Sequence, residues 1–577
     1  MTTPLVESTV HPGSPPDSPW WRSAVIYQIY PRSWADSDGD GVGDLPGITS
    51  RLPHLRDLGV DALWLSPFYT SPQADGGYDV ADYRDVDPLF GTLADADAVL
   101  AVAHNLGLKV IVDLVPNHSS DEHAWFRAAL KAGPNSPERA RYMFRDGRGL
   151  MGNQPPNNWQ CVFGGSAWCR VASEDGQWYL HLFDAKQPDF NWDNHEVRAE
   201  FEDVLRFWLD RGVDGFRVDV ANALVKEAGL PDWDGQLHIL GDPAGAQNEP
   251  GAKPAPMWDQ DGVHEIYRAW RRILNSYNPI DAAGYSGSND RILCGEAWVD
   301  SQERIVRYVR KDEMHQAFNF EFLKTQWRAG DLRQDITSSL TAADSVGAPT
   351  TWVLSNHDVV RHASRLGLPV GTKLPNGIGV GDPQPDAVLG RRRARAATVL
   401  ILALPGSAYL YQGEELGLPD STDMPDDVRQ DPTWPRSGHT ERGRDGCRVP
   451  MPWESERPAY GFGPSDQAWL PQPSSYAALA VDRQVGVEGS TLELYRALLA
   501  IRRERGLGLG SLSWLEGLPA EVLAFVNSPD TGEPVRVITN FGADPVALPE
   551  GAQILLSSGP LGDGGTVPTD TTVWLTG

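Results

Sequence analysis

Carboxylic acids recur where short apolar runs of the 577-residue chain end. Asp219 ends GFRVD, Glu296 follows ILCG, and Asp358 follows TWVLSNH. Hydrolysis of a glycosidic bond requires one carboxylic acid that protonates the leaving oxygen and one carboxylate that attacks the anomeric carbon. A nearby cation, here Arg217, keeps the attacking carboxylate ionised, whereas like charge raises the pKa of its partner. The three acids therefore predict glycosidic chemistry if the fold brings them together.

The elements that would position these acids are eight apolar runs, typical of parallel strands buried on both faces. They are residues 25–30, 62–66, 109–115, 215–220, 292–297, 317–322, 351–355 and 408–412. Helical patterns such as EVRAEFEDVLRFWLDRG separate them, which predicts an α/β fold, the TIM (β/α)8 barrel. A doubly wound sheet is the alternative, but no glycine fingerprint follows the first run. One acid at a strand end is often a helix cap. In a barrel, however, the ends of all strands meet at one mouth.

Four segments are predicted along the chain. Residues 1–19 are Pro/Ser-rich and are expected to be disordered. Residues 20–118 and 185–507 would form the barrel. Residues 119–184, too long for a plain loop after the third strand, would form a small inserted domain. Residues 508–577 alternate Val/Leu/Thr runs with Gly/Pro turns, which predicts a C-terminal antiparallel β-sandwich domain.

The net charge of −28 argues against nucleic acids and anionic membrane surfaces as partners, because both attract basic patches. No apolar run reaches the length of a transmembrane helix, and the N-terminal sequence lacks the pattern of a signal peptide. We therefore expect a cytoplasmic monomer or homodimer with no membrane partner. The four cysteines lack metal-ligand spacing and are expected to be reduced, with a Cys161–Cys169 disulfide as the alternative.

Seven motifs resemble those of a known family. DLVPNHSS (113–120), GFRVDVAN (215–222), CGEAW (294–298) and SNHDVVR (355–361) resemble the four strand-end motifs of the α-amylase superfamily, glycoside hydrolase family 13. QPDFNWDN (187–194), YQGEELG (411–417) and RDGCRVPMPW (444–453) resemble further signatures of its oligo-1,6-glucosidase and α-glucosidase group. The resemblance extends from Trp20 to the C-terminus and implies an enzyme that acts on small α-glucosides.

The resemblance implies a role for each matched residue. Asp219 would be the nucleophile and Glu296 the acid/base. Asp358 would be the carboxylate that hydrogen-bonds to sugar hydroxyls, most strongly in the transition state. Asp75 and Arg448 would both hydrogen-bond to hydroxyls of the sugar at the non-reducing end. For Tyr78 and the two phenylalanines the alternative is ordinary core packing. The implied substrate contacts are Asp75, Tyr78, His118, Phe163, Phe183, Arg217, Val220, His357, Arg361 and Arg448.

Specificity depends on the residues after the nucleophile. Endo-amylases usually carry Lys-His where this chain has Asn222 and Ala223, so the resemblance favours short substrates. Val220 accompanies α-1,6 preference in many relatives, whereas DVANALV resembles actinobacterial α-glucosidases that cleave α-1,4 bonds. We predict exo-hydrolysis of maltose and short malto-oligosaccharides with retention, accompanied by transglucosylation. The alternatives are an oligo-1,6-glucosidase, a trehalose synthase or sucrose isomerase, and, in another class, a non-catalytic amylase-like binding subunit.

The loop DSDGDGVGD offers carboxylate ligands at alternate positions, with glycines that permit a tight turn. Hard cations bind such loops, with one backbone carbonyl among the ligands. An EF-hand is disfavoured because its twelfth position would be Gly47 rather than Glu and a strand precedes the loop. The glucosidase group has a similar loop, which implies structural Ca²⁺ or Mg²⁺ and no organic cofactor. A solvated acidic turn is the alternative. The predicted ligands are Asp36, Asp38, Asp40, Val42 and Asp44.

Overall fold

The structure is a computed structural model that describes residues 7–171, 175–235, 255–278, 290–299 and 301–577. Its strands are β1 (Glu7–His11), β2 (Val25–Ile29), β3 (Ala62–Leu65), β4 (Tyr69–Thr70), β5 (Asp82–Val86), β6 (Lys109–Leu114), β7 (Phe144–Asp146), β8 (Trp168–Arg170), β9 (Gln177–Leu180), β10 (Gly215–Val218), β11 (Ile292–Gly295), β12 (Gln316–Ala317), β13 (Thr351–Val353), β14 (Ser407–Tyr411), β15 (Ser511–Leu515), β16 (Val522–Ser528), β17 (Val535–Asn540), β18 (Gln553–Ser557) and β19 (Thr571–Thr576).

The α-helices alternate with these strands over most of the chain, as the sequence pattern predicted. They are α1 (Leu45–Leu58), α2 (Leu93–Asn105), α3 (Ala124–Ala132), α4 (His195–Asp210), α5 (Val263–Tyr277), α6 (Gln302–Ile305), α7 (Phe320–Lys324), α8 (Ala329–Val346), α9 (His362–Arg365), α10 (Ala387–Leu402), α11 (Thr433–Arg436), α12 (Tyr476–Leu479) and α13 (Thr491–Arg505). None of them, within the described ranges, is both long and apolar enough to cross a membrane.

Eight strands form one parallel sheet in the order β12-β11-β10-β6-β3-β2-β14-β13. Tyr409 lies on β14, which neighbours the end strand β13, and donates a hydrogen bond to Gln316 Oε1 on the other end strand, β12, at 2.7 Å. The two ends of the sheet therefore approach each other across a shared interior. Such closure, with helices between successive strands, defines the (β/α)8 barrel. The predicted fold class, a TIM barrel followed by an antiparallel β domain, is confirmed.

Large side chains fill the interior below the mouth of the barrel. The ring of Trp64 lies 5.5 Å from that of Phe318 and 6.2 Å from that of Tyr409, between ring centroids. Every residue of β2, β3, β10, β11 and β14 is buried. The interior is therefore a packed core rather than a pore, and the polar residues that follow the strands lie above it.

Helix α4 shows how the segments between strands become helical. Its buried residues recur at helical spacing, so that one apolar stripe packs against the barrel. The side chain of Asn194 accepts a hydrogen bond from the Glu196 amide, which caps the first turn. The buried residues of this stripe are Val197, Phe201, Val204, Leu205, Trp208 and Leu209.

The sixth predicted strand, residues 317–322, is extended only at its first residue and helical over its last three. Strand β12 ends at Ala317, and Phe320 begins helix α7. The Asn319 side chain accepts a hydrogen bond from the Phe322 amide at 3.3 Å, so a helix cap interrupts the apolar run. An apolar run of this length does not distinguish a strand from a buried helical turn, which is why the prediction was wrong here.

The N-terminal segment differs from the prediction of disorder over residues 1–19. Residues 1–6 lie outside the described part of the chain, but Glu7–His11 forms β1, which pairs antiparallel with β15. His11 Nδ1 also lies 2.8 Å from Asp344 Oδ1 on α8. Pairing with an open sheet edge satisfies the backbone and outweighs the Pro/Ser composition. The resulting C-terminal sheet has the order β1-β15-β16-β17-β19-β18.

Residues 119–184 contain α3 and a three-stranded antiparallel sheet in the order β7-β9-β8. These elements lie where a small inserted domain is predicted, and the domain boundaries themselves stay predictions. Trp159 and Trp168 belong to the apolar core of this segment. All four cysteines are free, so Cys161 and Cys169 do not form the alternative disulfide.

Candidate active site

The backbone brings the ends of three strands level at the mouth of the barrel. In the parallel register, Arg217 on β10 lies beside Asp113 on β6 and Cys294 on β11. The register continues beyond the strands, because Glu296 N donates to Val218 O at 2.9 Å and Ala221 N donates to Glu296 O at 2.7 Å. Asp219 and Glu296 therefore leave adjacent strands at the same height.

The guanidinium group of Arg217 joins three acids. Its Nη1 lies 2.7 Å from Asp219 Oδ1 and 3.0 Å from Asp113 Oδ1, and its Nη2 lies 2.7 Å from Glu296 Oε2. All four side chains are buried. The predicted pairing of Arg217 with Asp219 is present, and the same cation also orients Glu296.

Burial, followed by the Glu296 and Asp113 carboxyl groups, raises the pKa of Asp219, and Arg217 opposes this rise. Two buried carboxyl groups in contact cannot both be ionised cheaply, so ionisation of Asp219 is disfavoured unless Arg217 compensates it. Burial also raises the pKa of Asp113 to about 7, against the effect of Arg217 and of the Tyr78 hydroxyl. This arrangement supplies both an acid and, next to Arg217, a site for a carboxylate.

Val220 has a backbone φ of +42°, which is strained for a β-branched residue. In this conformation its amide donates a hydrogen bond to Glu296 Oε2 at 3.1 Å. The side chain is buried with Phe163 in the core that connects the barrel to the inserted segment. Val220 therefore holds the carboxyl group of Glu296 through its backbone as well as lining the site.

His357 lies between two tyrosine rings. The Tyr78 ring stacks on it with centroids 5.2 Å apart and planes 10° apart, and the Tyr30 ring lies at 5.7 Å on it as well. Gln28 Nε2 lies 2.8 Å from His357 Nδ1, an acceptor if the imidazole carries its hydrogen on Nε2. That Nε2 lies 3.3 Å from Asp358 Oδ2, without the geometry of a hydrogen bond to it. Burial keeps the pKa of His357 well below its usual value, although Asp358 opposes this. A buried nitrogen next to the Asp358 carboxylate fits the predicted contact with a sugar hydroxyl.

Tyr78 is both stacked and hydrogen-bonded. Its hydroxyl donates to Asp113 Oδ2 at 3.0 Å, and Arg217 lies 5.8 Å from its ring centroid. The Tyr78 ring is 4% exposed, as the core-packing alternative expects. It also stacks on His357 at the site, where the predicted contact with substrate would lie.

Asp358 and Asp75 belong to one ion-pair cluster. Arg448 Nη2 lies 2.9 Å from Asp358 Oδ1, whereas the prediction grouped Arg448 with Asp75. The partner of Asp75, however, is Arg444, whose Nη2 lies 2.6 Å from Asp75 Oδ1 and whose Nη1 lies 3.1 Å from Asp358 Oδ1. Asp431 Oδ2 also contacts Arg444 Nε, at 2.5 Å.

Arg444 was missed in the sequence, although RDGCR contains both arginines. They flank a single 3-10 turn, Asp445–Cys447, so a spacing of four placed both guanidinium groups at the same site. Burial alone would raise the pKa of Asp358, but His357, Arg444 and Arg448 reverse this and hold the pKa below its usual range. Burial raises the pKa of Asp75, with Arg444 and Arg448 opposing.

His118, Phe163 and Phe183 lie on the side of the site that borders the inserted segment. His118 Nε2 lies 3.2 Å from Tyr78 O, and its Nδ1 lies 3.1 Å from Asn117 Nδ2. The Phe183 ring lies 5.1 Å from the His118 ring and 6.1 Å from the Phe163 ring. Burial lowers the pKa of His118 to about 4, so the ring is neutral near pH 7.

Arg361 does not face the site, contrary to its predicted role as a substrate contact. Its Nη1 donates to Gln412 O at 2.7 Å and its Nη2 donates to Cys447 O at 2.9 Å. The side chain is 1% exposed and lies over the Tyr411 ring. Because Cys447 precedes Arg448, Arg361 instead supports the loop that carries the two site arginines.

The acidic loop brings together three of its predicted ligands. Asp36, Asp38 and Asp40 each offer an oxygen, and these oxygens lie within 4.8 Å of one another. Asp44 differs, because its carboxylate accepts hydrogen bonds from Gly47 N at 2.6 Å and Ser37 N at 2.9 Å and thereby caps α1. The Val42 amide donates to Asp40 Oδ1 at 2.8 Å. Three clustered carboxylates fit a hard cation in donor type.

Comparisons with known proteins extend over nearly the whole chain. A family model described as "Alpha amylase, catalytic domain" matches residues 28–508. A "Probable alpha-glucosidase" of Rhizobium meliloti is 39% identical over 525 residues, 89% of this chain and 88% of that protein. An oligo-1,6-glucosidase of Parageobacillus thermoglucosidasius is 34% identical over 517 residues, 85% and 84% of the two chains. The crystal structure of an alpha-glucosyl transfer enzyme superposes with a TM-score of 0.82 at 37% identity, covering 97% of this chain and 100% of the other.

Proposed function

The chain belongs to the α-amylase family of glycoside hydrolases, as its motifs predicted, and from this premise we propose that it is an exo-acting retaining α-glucosidase. Its proposed substrates are maltose and short malto-oligosaccharides, from which it would release terminal α-1,4-linked glucose. The named activities of its relatives support an α-glucoside as substrate. The observation that carries exo action is the ion pair between Asp75 and Arg444 at one end of the site.

This ion pair belongs to a wall that would limit the site to one terminal glucose. Arg444 lies 5.5 Å from the Phe163 ring, and Arg436 pairs with Asp184, so one loop contacts the inserted segment twice. Asp75 Oδ2 also accepts a hydrogen bond from Gln187 Nε2 at 3.1 Å. Carboxylate acceptors and guanidinium donors match the vicinal hydroxyls of a sugar. A polymer chain would need an opening where these contacts lie.

In the first half-reaction, Asp219 would attack the anomeric carbon and form an ester bond to it. Arg217 occupies Asp219 Oδ1, which leaves Oδ2 for the attack. The Glu296 carboxyl group would give its proton to the glycosidic oxygen, which takes both electrons of the broken bond to the anomeric carbon. Asp358 and His357 would bind hydroxyls of the same glucose and favour the oxocarbenium-like transition state.

In the second half-reaction, Glu296 would act as the base. It takes a proton from water, the water oxygen bonds to the anomeric carbon, and Asp219 leaves as a carboxylate. Two inversions give net retention of configuration. If a sugar hydroxyl replaces water, the product is a transglucosylated oligosaccharide. The similarity to an alpha-glucosyl transfer enzyme supports this second outcome as a side reaction.

Bond preference rests on Val220 and its surroundings. The similarity to an oligo-1,6-glucosidase supports α-1,6 cleavage as the second candidate. The decisive assay offers maltose, isomaltose, sucrose and trehalose in parallel and identifies the products. Glucose from maltose at the highest kcat/KM supports the proposal. Faster cleavage of isomaltose would establish the second candidate. Conversion of maltose into trehalose would show that the enzyme is an isomerase rather than a hydrolase.

We further propose that the loop of Asp36, Asp38 and Asp40 holds a structural Ca²⁺ or Mg²⁺ ion. Burial and the neighbouring acids Asp38, Asp36 and Asp44 raise the pKa of Asp40, although the Val42 amide opposes this, so negative charge is crowded in the loop. A bound cation would relieve that repulsion and fix the turn before α1. It would supply no step of the reaction.

A further inference from the structure

The two oxygens of the Glu296 carboxyl group have different surroundings. Oε2 lies 2.7 Å from Arg217 Nη2 and accepts the Val220 amide hydrogen at 3.1 Å. Oε1 accepts a hydrogen bond from the indole Nε1 of Trp298 at 3.1 Å, its one donor among the described residues. A carboxylate oxygen has two acceptor positions. Oε2 therefore faces a cation and an amide hydrogen, whereas Oε1 faces the indole hydrogen alone and keeps one acceptor position open.

The open position identifies the oxygen that exchanges the proton. In the proposed mechanism, Glu296 carries the proton while Asp219 is ionised for attack. Protonation of Oε2 would place a hydrogen against two donors, Arg217 and the Val220 amide. Protonation of Oε1 leaves those contacts intact. The proton that reaches the glycosidic oxygen therefore comes from Oε1, the oxygen that Trp298 contacts.

Trp298 is held rigidly in this position. Its ring stacks on Phe320 with centroids 3.6 Å apart and planes 2° apart. Its backbone carbonyl accepts a hydrogen bond from Asn222 Nδ2 at 2.7 Å. The side chain is nevertheless partly exposed, so it borders the mouth rather than the core. Stacking on one side and the backbone contact on the other aim the indole hydrogen at Oε1.

We infer that Trp298 is a positioning residue that promotes proton donation by Glu296, an inference that rests on the proposed glucosidase activity. A carboxylate oxygen accepts a hydrogen bond more strongly after it has lost its proton. The indole contact therefore strengthens as the proton passes to the glycosidic oxygen and the bond to the anomeric carbon breaks. An interaction that strengthens in the transition state accelerates the step. The benefit applies only to leaving groups that need the proton.

The test uses Trp298→Phe in the full-length protein, because phenylalanine keeps a flat ring against Phe320 but has no N–H donor. The substitution also removes ring volume, which the control variant below removes as well. Maltose has a poor leaving group, whereas α-glucosyl fluoride loses fluoride with little need for an acid. We expect kcat/KM for maltose to fall about tenfold, the effect of one hydrogen bond to a charged group. For α-glucosyl fluoride we expect less than a twofold change. Aryl α-glucosides should lose more activity as their phenols become less acidic.

Trp514→Phe is the matched control. It removes an indole hydrogen bond of similar length, 3.0 Å to Thr337 Oγ1, at the C-terminal sheet. Its ratio of maltose to fluoride activity should equal that of the wild type. Turnover of the fluoride also shows that the Trp298→Phe site is folded. Equal losses on both substrates, or no loss on maltose, would overturn the inference. A wild type that cleaves neither substrate would overturn the proposed function instead.

Discussion

Arg444 Nη2 lies 2.6 Å from Asp75 Oδ1, although the two residues are 369 positions apart in the chain. The same guanidinium group contacts Asp358, so it connects an acid that follows β4 with one that follows β13. Arg444 and Asp75 are both buried before any sugar enters. If the proposed function holds, the donors and acceptors for the terminal glucose are assembled in advance, which reduces the entropy lost when substrate binds.

Asp75→Asn should lower kcat/KM for maltose about 100-fold, because the site loses charge-assisted hydrogen bonds that are each worth about 1.5–3 kcal/mol. The glucose moiety is common to every substrate, so α-glucosyl fluoride should be affected as strongly. Asp82→Asn, at an exposed position on β5, is the control and should retain full activity. Unchanged kinetics in Asp75→Asn would show that Asp75 does not bind the substrate.

Asp219→Asn should abolish hydrolysis and leave the fold intact, with kcat/KM reduced by about 10⁴-fold or more. Its midpoint of thermal unfolding should rise, since a neutral amide replaces a carboxyl group whose ionisation is disfavoured by burial first and by the repulsion of Glu296 and Asp113, more than Arg217 favours it. Differential scanning calorimetry and a maltose assay on the same preparation measure both effects. Asp203→Asn, on the exposed face of α4, should change neither. Retained turnover would contradict the nucleophile assignment, and a lower midpoint would contradict the repulsion.

Glu414→Gln should change how stability depends on pH. Burial raises the pKa of Glu414 to about 8, although the Tyr411 amide opposes this, and Oε2 has no partner within the described chain. Between the unfolded pKa of about 4.3 and the folded pKa of about 8, Glu414 is ionised in the unfolded chain but not in the folded protein. The free energy of unfolding of the wild type therefore falls as pH rises through this range. The glutamine side chain of Glu414→Gln does not titrate, so the variant does not show this fall.

The free energy of unfolding by urea at pH 5 and pH 9 tests this expectation. The advantage of Glu414→Gln over the wild type should be larger at pH 9 by about 2–4 kcal/mol. Glu265→Gln, whose side chain is 73% exposed, serves as the control and should show equal differences at both pH values. An advantage that shrinks between pH 5 and pH 9 would show that Glu414 is ionised in the folded protein.

Removal of divalent cations should lower the thermal midpoint by about 5 °C relative to protein saturated with Ca²⁺ or Mg²⁺. The double variant of Asp38→Asn and Asp40→Asn should melt at the lower temperature and no longer respond to either cation. Asp57→Asn on α1 should respond as the wild type does. Identical melting with chelator and with cations would leave the loop as a solvated acidic turn.

The strand-end acids could be predicted because their signal is local. Asp219 and Glu296 directly follow β10 and β11, Asp358 comes shortly after β13, and parallel strands in a barrel place such residues at one mouth. The clustering of Asp36, Asp38 and Asp40 could be predicted in the same way, since alternate carboxylates are close in sequence, and a bound cation stays a prediction. The role of Asp44 could not be predicted, because whether it binds a cation or caps α1 depends on where the helix begins.

Contacts between distant loops could not be predicted in the same way. The choice between Arg444 and Arg448 as partner of Asp75 depends on how one 3-10 turn is oriented. Arg361 lies in a motif that faces the mouth, yet its guanidinium turns toward carbonyl groups that only the folded loop supplies. Strand β1 likewise depends on an edge that residues more than 500 positions away create.

The pairing of β1 with β15 has a consequence for biosynthesis. Thr9 and Ser513, whose hydroxyls lie 2.9 Å apart, are separated by 504 positions. At typical ribosomal speeds of 5–20 residues per second, β1 waits roughly 25–100 s for its partner. During this interval its backbone is unpaired and exposed to other nascent chains. The strand is short, and a charged residue begins it, features that reduce the risk of aggregation on the ribosome.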